Sequence, residues 1–421
     1  MSLVSAIRSE MGSLPRTEKL FIFFALCSGF LIAAEYGITR PTSQSLFLTL
    51  FSSQMFPWVW LATVPLNLLV IYLYNRFLPK LGPVRVLTSL ACITMGINLF
   101  ASISLPLFPS FIFFQFAWKD IYILLMFKQL WSMIHSTIPA TRAKYLYGII
   151  FGCGTLGSVL ASLIPSHLAL LLGSETLYLF TLPLYALLIF TYRSAFQRSL
   201  VPKEAFEQKL SPNPSPKEGF ALIRRNHFLG AVLLLVVLMQ VSVGFMEYQF
   251  NAHLELNILD KDLRTAYCGR LVGWMNLLSG FFQVVGGFLM VNSLGLKRSH
   301  LLVPLLLLSS AITSWAFPSF ALISFSYVFL KAVDFSLFGV IREMLYIPLQ
   351  LDEKFRAKAI IDVFAHRTSK ALVSLAILSL QFFVGGSLLH IAPYFSLSIF
   401  AIWIVAAFVM FRLTEKKEIS I

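Results

Sequence analysis

Between Ala371 and Phe411 the chain has no Asp, Glu, Lys or Arg. The same is true of Pro41–Asn75, Val86–Trp118, Tyr145–Ser174, Thr176–Tyr192, Asn226–Met246, Leu271–Leu296 and Ser299–Leu330. A helix needs about 20 apolar residues to cross roughly 30 Å of hydrocarbon, so most of these runs reach across a bilayer and the longest holds two crossings. A barrel would show short alternating segments instead. Hydrophobic residues make up 58% of the 421 and charged ones 12%. A soluble domain is about 25% charged, so a soluble enzyme is excluded, and disorder more firmly still. The expected class is an all-α polytopic membrane protein.

The runs place twelve helices near 20–38, 55–75, 86–106, 111–138, 146–166, 175–192, 228–248, 268–290, 300–317, 320–346, 370–389 and 394–411. The basic residues near the N-terminus (Arg8, Arg16 and Lys19) precede an apolar run, as in a signal peptide. No convincing small-residue cleavage pattern follows, so a retained first helix is expected. With the N-terminus in the cytoplasm, every Lys and Arg falls on the cytoplasmic side except Arg40, Lys119, Lys128, Lys261, Arg264, Arg270 and Lys331. The positive-inside rule then puts both termini in the cytoplasm. Orientation therefore accounts for most of the net +14. Phe and Leu dominate between the basic residues, so nucleic acid is not expected as a partner.

Arg193–Arg225 is polar and holds Ser211-Pro-Asn-Pro-Ser-Pro216, a linker composition. It divides the chain into a six-helix half (1–192), a cytoplasmic loop (193–225) and a second six-helix half (226–421). The halves share rare charges at a near-fixed offset. Asp120 matches Asp334 (334 − 120 = 214), Lys128-Gln129-Leu130 matches Arg342-Glu343-Met344, and Arg142-Ala143-Lys144 matches Arg356-Ala357-Lys358. Glu35-Tyr36 matches Glu247-Tyr248 (247 − 35 = 212). Two parallel six-helix halves define the major-facilitator-like architecture, with substrate sites near the midplane.

An intramembrane charge costs at least about 2–3 kcal/mol and marks a functional candidate. Arg40, Lys128, Lys331 and Arg342 can hold phosphate oxygens, the guanidinium groups bidentately. Glu35 and Glu247 can neutralise an empty cavity or carry protons. Lys331 and Asp334, three residues apart, share a helix face and can neutralise each other. Arg342 follows Lys331 by almost three turns of an α-helix, so both should point one way. The plainer readings stay open: Lys128 and Arg342 can snorkel from helix ends, Arg40 and Lys119 can sit at the outer interface, and Lys331–Asp334 can be a helix lock. Gly152-Cys-Gly-Thr-Leu-Gly157 fits G-x-G-x-x-G but lies inside an apolar helix, so it reads as close helix packing. Cys27, Cys92, Cys153 and Cys268 show no metal or disulfide spacing. No metal, cofactor or enzymatic arrangement is expected.

Arg342-Glu-Met-Leu-Tyr-Ile-Pro-Leu349 resembles the [KR]-E-M-x-Y-I-P-L signature of the bacterial and plastid ATP/ADP translocase family. Lys358-Ala-Ile-Ile-Asp-Val363 is similar to its K-A-A-I-D-V, and Lys331-Ala-Val-Asp-Phe-Ser-Leu-Phe338 to its K-x-x-K-Y-S-L-F. Fainter likeness occurs at Tyr36–Arg40, Leu130-Trp131 and Ser242–Glu247. The resemblance implies a membrane transporter that exchanges ATP for ADP by alternating access, as a monomer, with nucleotide as cargo. It implies substrate roles for Glu247 and Arg342, with Lys331 and Glu343 also matching. The chain departs from the pattern at Ser43, where a substrate-contacting Lys is expected, and at Gln129, where an acid is expected. It departs again at Asp334, where the second Lys stands, and at Gly339; Lys128 is an added base. The binding set is thus Arg40, Lys128, Glu247, Lys331, Arg342 and Glu343, with Glu35, Asp120, Gln129 and Asp334 as coupling or cavity groups. The alternative is a transporter of the same fold for a different solute, with proton coupling through Glu35 or Glu247.

Overall fold

The computed structural model describes residues 15–105, 107–138, 140–199, 223–283, 287–346, 351–384 and 388–415. Among these the chain is helical, without strands. Helix α1 is Arg16–Leu50, and α2 is Phe56–Ser104. Then come α3 (Phe111–Thr137), α4 (Ala140–Leu172) and α5 (Thr181–Gln197). The second half holds α6 (His227–Asn257), α7 (Lys261–Phe281) and α8 (Gly287–Ala316). It ends with α9 (Phe320–Val333), α10 (Gly339–Leu345), α11 (Leu351–Val384) and α12 (Ala392–Glu415). Eight helical stretches among the described residues are long and apolar enough to cross a membrane. The all-helical membrane class therefore stands. Twelve α-helices lie among the described residues, and α2 and α8 each run across a glycine break.

Those two breaks are alike. Gly82 has φ 73° and ψ 163°, and Gly295 has φ 73° and ψ 169°. They lie 295 − 82 = 213 residues apart, within the offsets of the charged repeat. A positive φ with extended ψ is open to glycine and strained for other residues. In both helices the break falls at this glycine; the prolines inside them, Pro65, Pro79 and Pro83 in α2 and Pro304 in α8, keep helical backbone angles. Pro183 is the third residue of α5, in the first turn, where a missing N–H costs little.

Several helices outrun their apolar cores. The run 20–38 becomes Arg16–Leu50, continuing through Pro41. Proline frees a carbonyl one turn back, but neighbouring helices and Ser/Thr side chains allow it within a membrane. The carbonyl freed by Pro41 is that of Gly37; just beyond it the Thr42 and Ser43 hydroxyls donate to the Ile38 and Thr39 carbonyls at 2.8 and 2.7 Å. The run 370–389 becomes Leu351–Val384, beginning in a charged stretch. Side-chain caps set two starts: Asn226 accepts from the Phe228 N–H at 3.0 Å and Ser319 from the Leu322 N–H at 3.3 Å.

The helices form two compact units. Unit 1 is Met1–Leu50, Pro65–Leu210 and Asp260–Asn276; unit 2 is Phe51–Val64, Ser211–Leu259 and Leu277–Ile421. In unit 1, α1 packs against α3, α4 and α5. The α1–α4 contact depends on small residues. A side chain at Gly157 would overlap the Phe30 carbonyl, and a Cβ at Gly37 would come within 2.8 Å of the Ser158 carbonyl oxygen. The glycine-rich stretch in α4 is therefore a packing surface, as its apolar setting implied. The first turns of α7 join unit 1 through polar contacts. Asp262 accepts from the Ser174 backbone N–H at 2.7 Å, Lys261 pairs with Glu175, and Arg264 donates to Thr49 at 3.2 Å. In unit 2, α6 packs against α9, α11 and α12, and α8 against α12. There Glu255 accepts from the Ser53 N–H at 2.7 Å.

The segment Ser211–Pro216, the signature residues Ile347–Leu349, and Gly286, Gly385 and Gly386 lie outside the described residues. So do the side chains of Arg142, Lys144, Arg356 and Lys358.

Candidate functional site

In unit 1 the site rests on α1 and α3. Glu35 is 1% exposed, amid apolar helices. The Tyr122 hydroxyl lies 2.7 Å from both of its carboxylate oxygens, and Thr39, one turn along α1, donates to Oε1. Tyr185 of α5 and Asn98 of α2 lie beside the carboxyl. Asn98 is itself tied down: its amide donates to Thr181 at 3.1 Å and its carbonyl accepts from Gln115 at 3.4 Å. Among the described residues, no basic side chain forms an ion pair with Glu35. The next residue, Tyr36, donates to Asp120 at 3.2 Å, and Asp120 also takes the Lys119 ammonium at 2.8 Å.

The other unit 1 candidates stand apart from this cluster. Arg40 is half-buried, with its guanidinium 3.6 Å from the Met275 sulfur. Lys128 is exposed, with its ammonium 5.3 Å from the Tyr74 ring centre. Gln129 is buried and donates to the Pro83 carbonyl at 3.3 Å, beside the Gly82 break. Ser43, where the resemblance leads one to expect Lys, is fully buried. It accepts from Tyr178 at 3.1 Å. Packing there leaves no room for a lysine stem.

In unit 2 the equivalent helices are α6 and α9. The Lys331 ammonium lies 2.8 Å from Glu247 Oε2, with the two side chains 11% and 17% exposed. Asp334 accepts from Gln240 at 3.0 Å. The Lys331 and Arg342 charges also act on Asp334, so the charge of Lys331 is shared between Asp334 on its own helix and Glu247. Lys331 and Asp334 each take a partner from α6 as well, which presents Gln240 and Glu247 toward α9.

The segment between Lys331 and Arg342 is not one regular α-helix. Between α9 and α10, Asp334–Phe338 forms a π-helical turn. A π turn inserts one residue into the α-helical register, which rotates everything beyond it by about 100°. Arg342 is half-buried, and its guanidinium lies 3.7 Å from Glu343, which is exposed. Helix α3 has no such turn, so the charged repeat is carried on unlike backbones. Single π turns concentrate at functional positions.

The repeat is visible in how each unit bridges its helix pair. Glu35 and Tyr36 reach α3; Glu247 reaches α9. Sequence reasoning missed Tyr122, Thr39, Tyr185 and Gln240. Their signal was a polar side chain inside an apolar helix, which charge counting passes over.

The fold and these buried charges define an all-helical integral membrane protein. A mutant form of the nucleoside transporter NupG superposes with a TM-score of 0.70 at 13% identity, covering 93% of this chain and 100% of that one. The partially occluded inward-open xylose transporter XylE from E. coli gives 0.59 at 13% identity, covering 93% and 97%. Residues 320–416, which include α9 and α10, match the TLC ATP/ADP transporter family profile. The chain is similar to ADP,ATP carrier protein 1 of Chlamydia trachomatis, 24% identical over 229 residues. That match takes 49% of this chain and 43% of the relative, so it spans less than half of that carrier's length. ADP,ATP carrier protein 1 of Rickettsia bellii is 23% identical over 354 residues, 75% of this chain and 70% of that one. Both relatives are ADP,ATP carrier proteins.

Proposed function

We propose that this chain transports nucleotides or a related phosphorylated anion across the bacterial inner membrane by alternating access, as a monomer with both termini in the cytoplasm. Exchange of ATP for ADP is the default. The observation that carries this reading is the family match over 320–416, since it covers the helix bearing Lys331, Arg342 and Glu343. Lys331 is a point charge and Arg342 a planar fork, the two ways side chains hold phosphate. In this reading Glu247 keeps Lys331 neutralised while no anion is bound, and an arriving phosphate competes for the ammonium. The test is thermal stabilisation of the purified protein by ATP, ADP, phosphate, amino acids and sugars. ATP and ADP should raise the unfolding temperature, and Arg342→Ala should abolish the rise. Stabilisation by an amino acid or sugar alone would contradict the reading.

A second reading, transport of a different solute on the same fold, is favoured by Ser43. Its hydroxyl is committed to Tyr178 and the Thr39 carbonyl, where the resembling family offers a lysine. The same stabilisation panel separates the two.

A further inference from the structure

Glu35 and Glu247 are equivalent by the repeat, yet their surroundings differ. Glu247 has an ammonium at 2.8 Å. Glu35 has two hydroxyls, from Tyr122 and Thr39. The sequence explains the difference: at the offset of 214, the counterpart of Lys331 is 331 − 214 = 117, which is Ala117. Ser336 of the second half likewise corresponds to Tyr122 (336 − 214 = 122). One half holds its glutamate with a base; the other lost the base and gained a phenol.

An ionised carboxylate buried in hydrocarbon without a cation is expensive, and such a group tends to neutralise by taking a proton. The neighbours of Glu35 suit both states. A hydroxyl donates to a carboxylate and, rotated, accepts from a carboxylic acid. The Tyr185 hydroxyl is fully buried beside Glu35, so a third hydroxyl stands near the carboxyl in either protonation state. The titratable groups facing Glu35 are Tyr122 from α3 and Tyr185 from α5. Tyr178, from the turn before α5, lies further along α1, bonded to Ser43. On α3 the Lys119 charge is taken by Asp120 at 2.8 Å. Helix α4 presents Gly154, Gly157 and Ser158 to α1.

We propose that Glu35 binds and releases a proton during the transport cycle, coupling solute movement to the proton gradient. The proton forms an O–H bond on one carboxyl oxygen while Tyr122 keeps its bond to the other, and it leaves as the carboxylate re-forms. This rests on the transport reading, so the test has two parts. In proteoliposomes, an inward proton gradient should raise labelled ATP uptake by the wild-type protein several-fold, and a protonophore should remove the rise; Glu35→Gln should show no rise. In infrared difference spectra taken across a pH titration of the membrane-bound protein, subtracting the Glu35→Gln titration from that of the wild type should leave the carbonyl stretch of one titrating carboxyl. Saturable uptake that ignores the proton gradient in the wild type, or follows a sodium gradient instead, would overturn the proposal, and this arm needs no variant. Identical titration spectra for the wild type and Glu35→Gln would overturn it as well. Absence of any nucleotide uptake would defeat the nucleotide reading, while the infrared arm would still decide whether Glu35 carries the proton.

Discussion

Single residues show most clearly what charge spacing reveals and what it conceals. The rare charges of the apolar helices were legible at once, and so was the equivalence of Glu35 with Glu247. Their partners were not. Spacing along one helix suggested Lys331 with Asp334, but bonding depends on what the facing helix presents, and α6 presents Glu247 and Gln240. Breaking a buried pair from one side leaves a charge stranded at a cost of about 3 kcal/mol. Lys331→Ala should therefore lower the thermal stability of the detergent-solubilised protein clearly, and Glu247→Gln combined with Lys331→Met should recover most of the loss. Equal loss in the single and double variants would show that the pair does not act as a unit. Ser43 makes the opposite case. A lysine there would displace the Tyr178 contact and bury an unmatched charge, so Ser43→Lys should destabilise the fold and not restore a binding site.

At the scale of elements, hydropathy located the helices but not their ends or their defects. Apolar runs mark what lies in hydrocarbon, whereas α1, α4 and α11 continue beyond it wherever polar residues can still bond along the helix. The turn between the second and third spans was legible as an interruption in charge-free sequence, though its φ of +73° at Gly82 was not. A Cβ at Gly82 or Gly295 would touch nothing within 4 Å, so only the backbone resists substitution. Gly82→Ala and Gly295→Ala should each cost about 1–3 kcal/mol, as read from thermal unfolding, and Asn should fare no better, because ψ near 165° lies outside the left-handed helical region that Asn accepts. Gly157 is different in kind: its substitution by Ala pushes α4 off the Phe30 carbonyl and should cost about 1–3 kcal/mol through overpacking. The π turn at Asp334–Phe338 had no signal in the apolar pattern, and helical-wheel arithmetic across Lys331–Arg342 assumes a regular helix that this turn interrupts.

For the whole molecule, composition fixed the membrane class and the repeat indicated two related halves. The two glycine breaks, 213 residues apart by subtraction, agree with that internal repeat on independent grounds. The exchange of segments was illegible: the first turns of α7 pack with unit 1, and 51–64 with unit 2. Apolar periodicity records that a face is buried but not against which helix. The substrate is the claim most in need of a direct test, since the chain keeps Lys331, Arg342 and Glu343 of the resembling pattern and replaces others at Ser43 and Gln129. The decisive measurement is exchange in proteoliposomes carrying the purified protein and preloaded with ADP. External labelled ATP should enter saturably, faster than into empty liposomes, with unlabelled ADP competing and Arg342→Ala reducing entry at least tenfold. No saturable entry by well-folded protein, or entry unchanged by Arg342→Ala, would contradict the account.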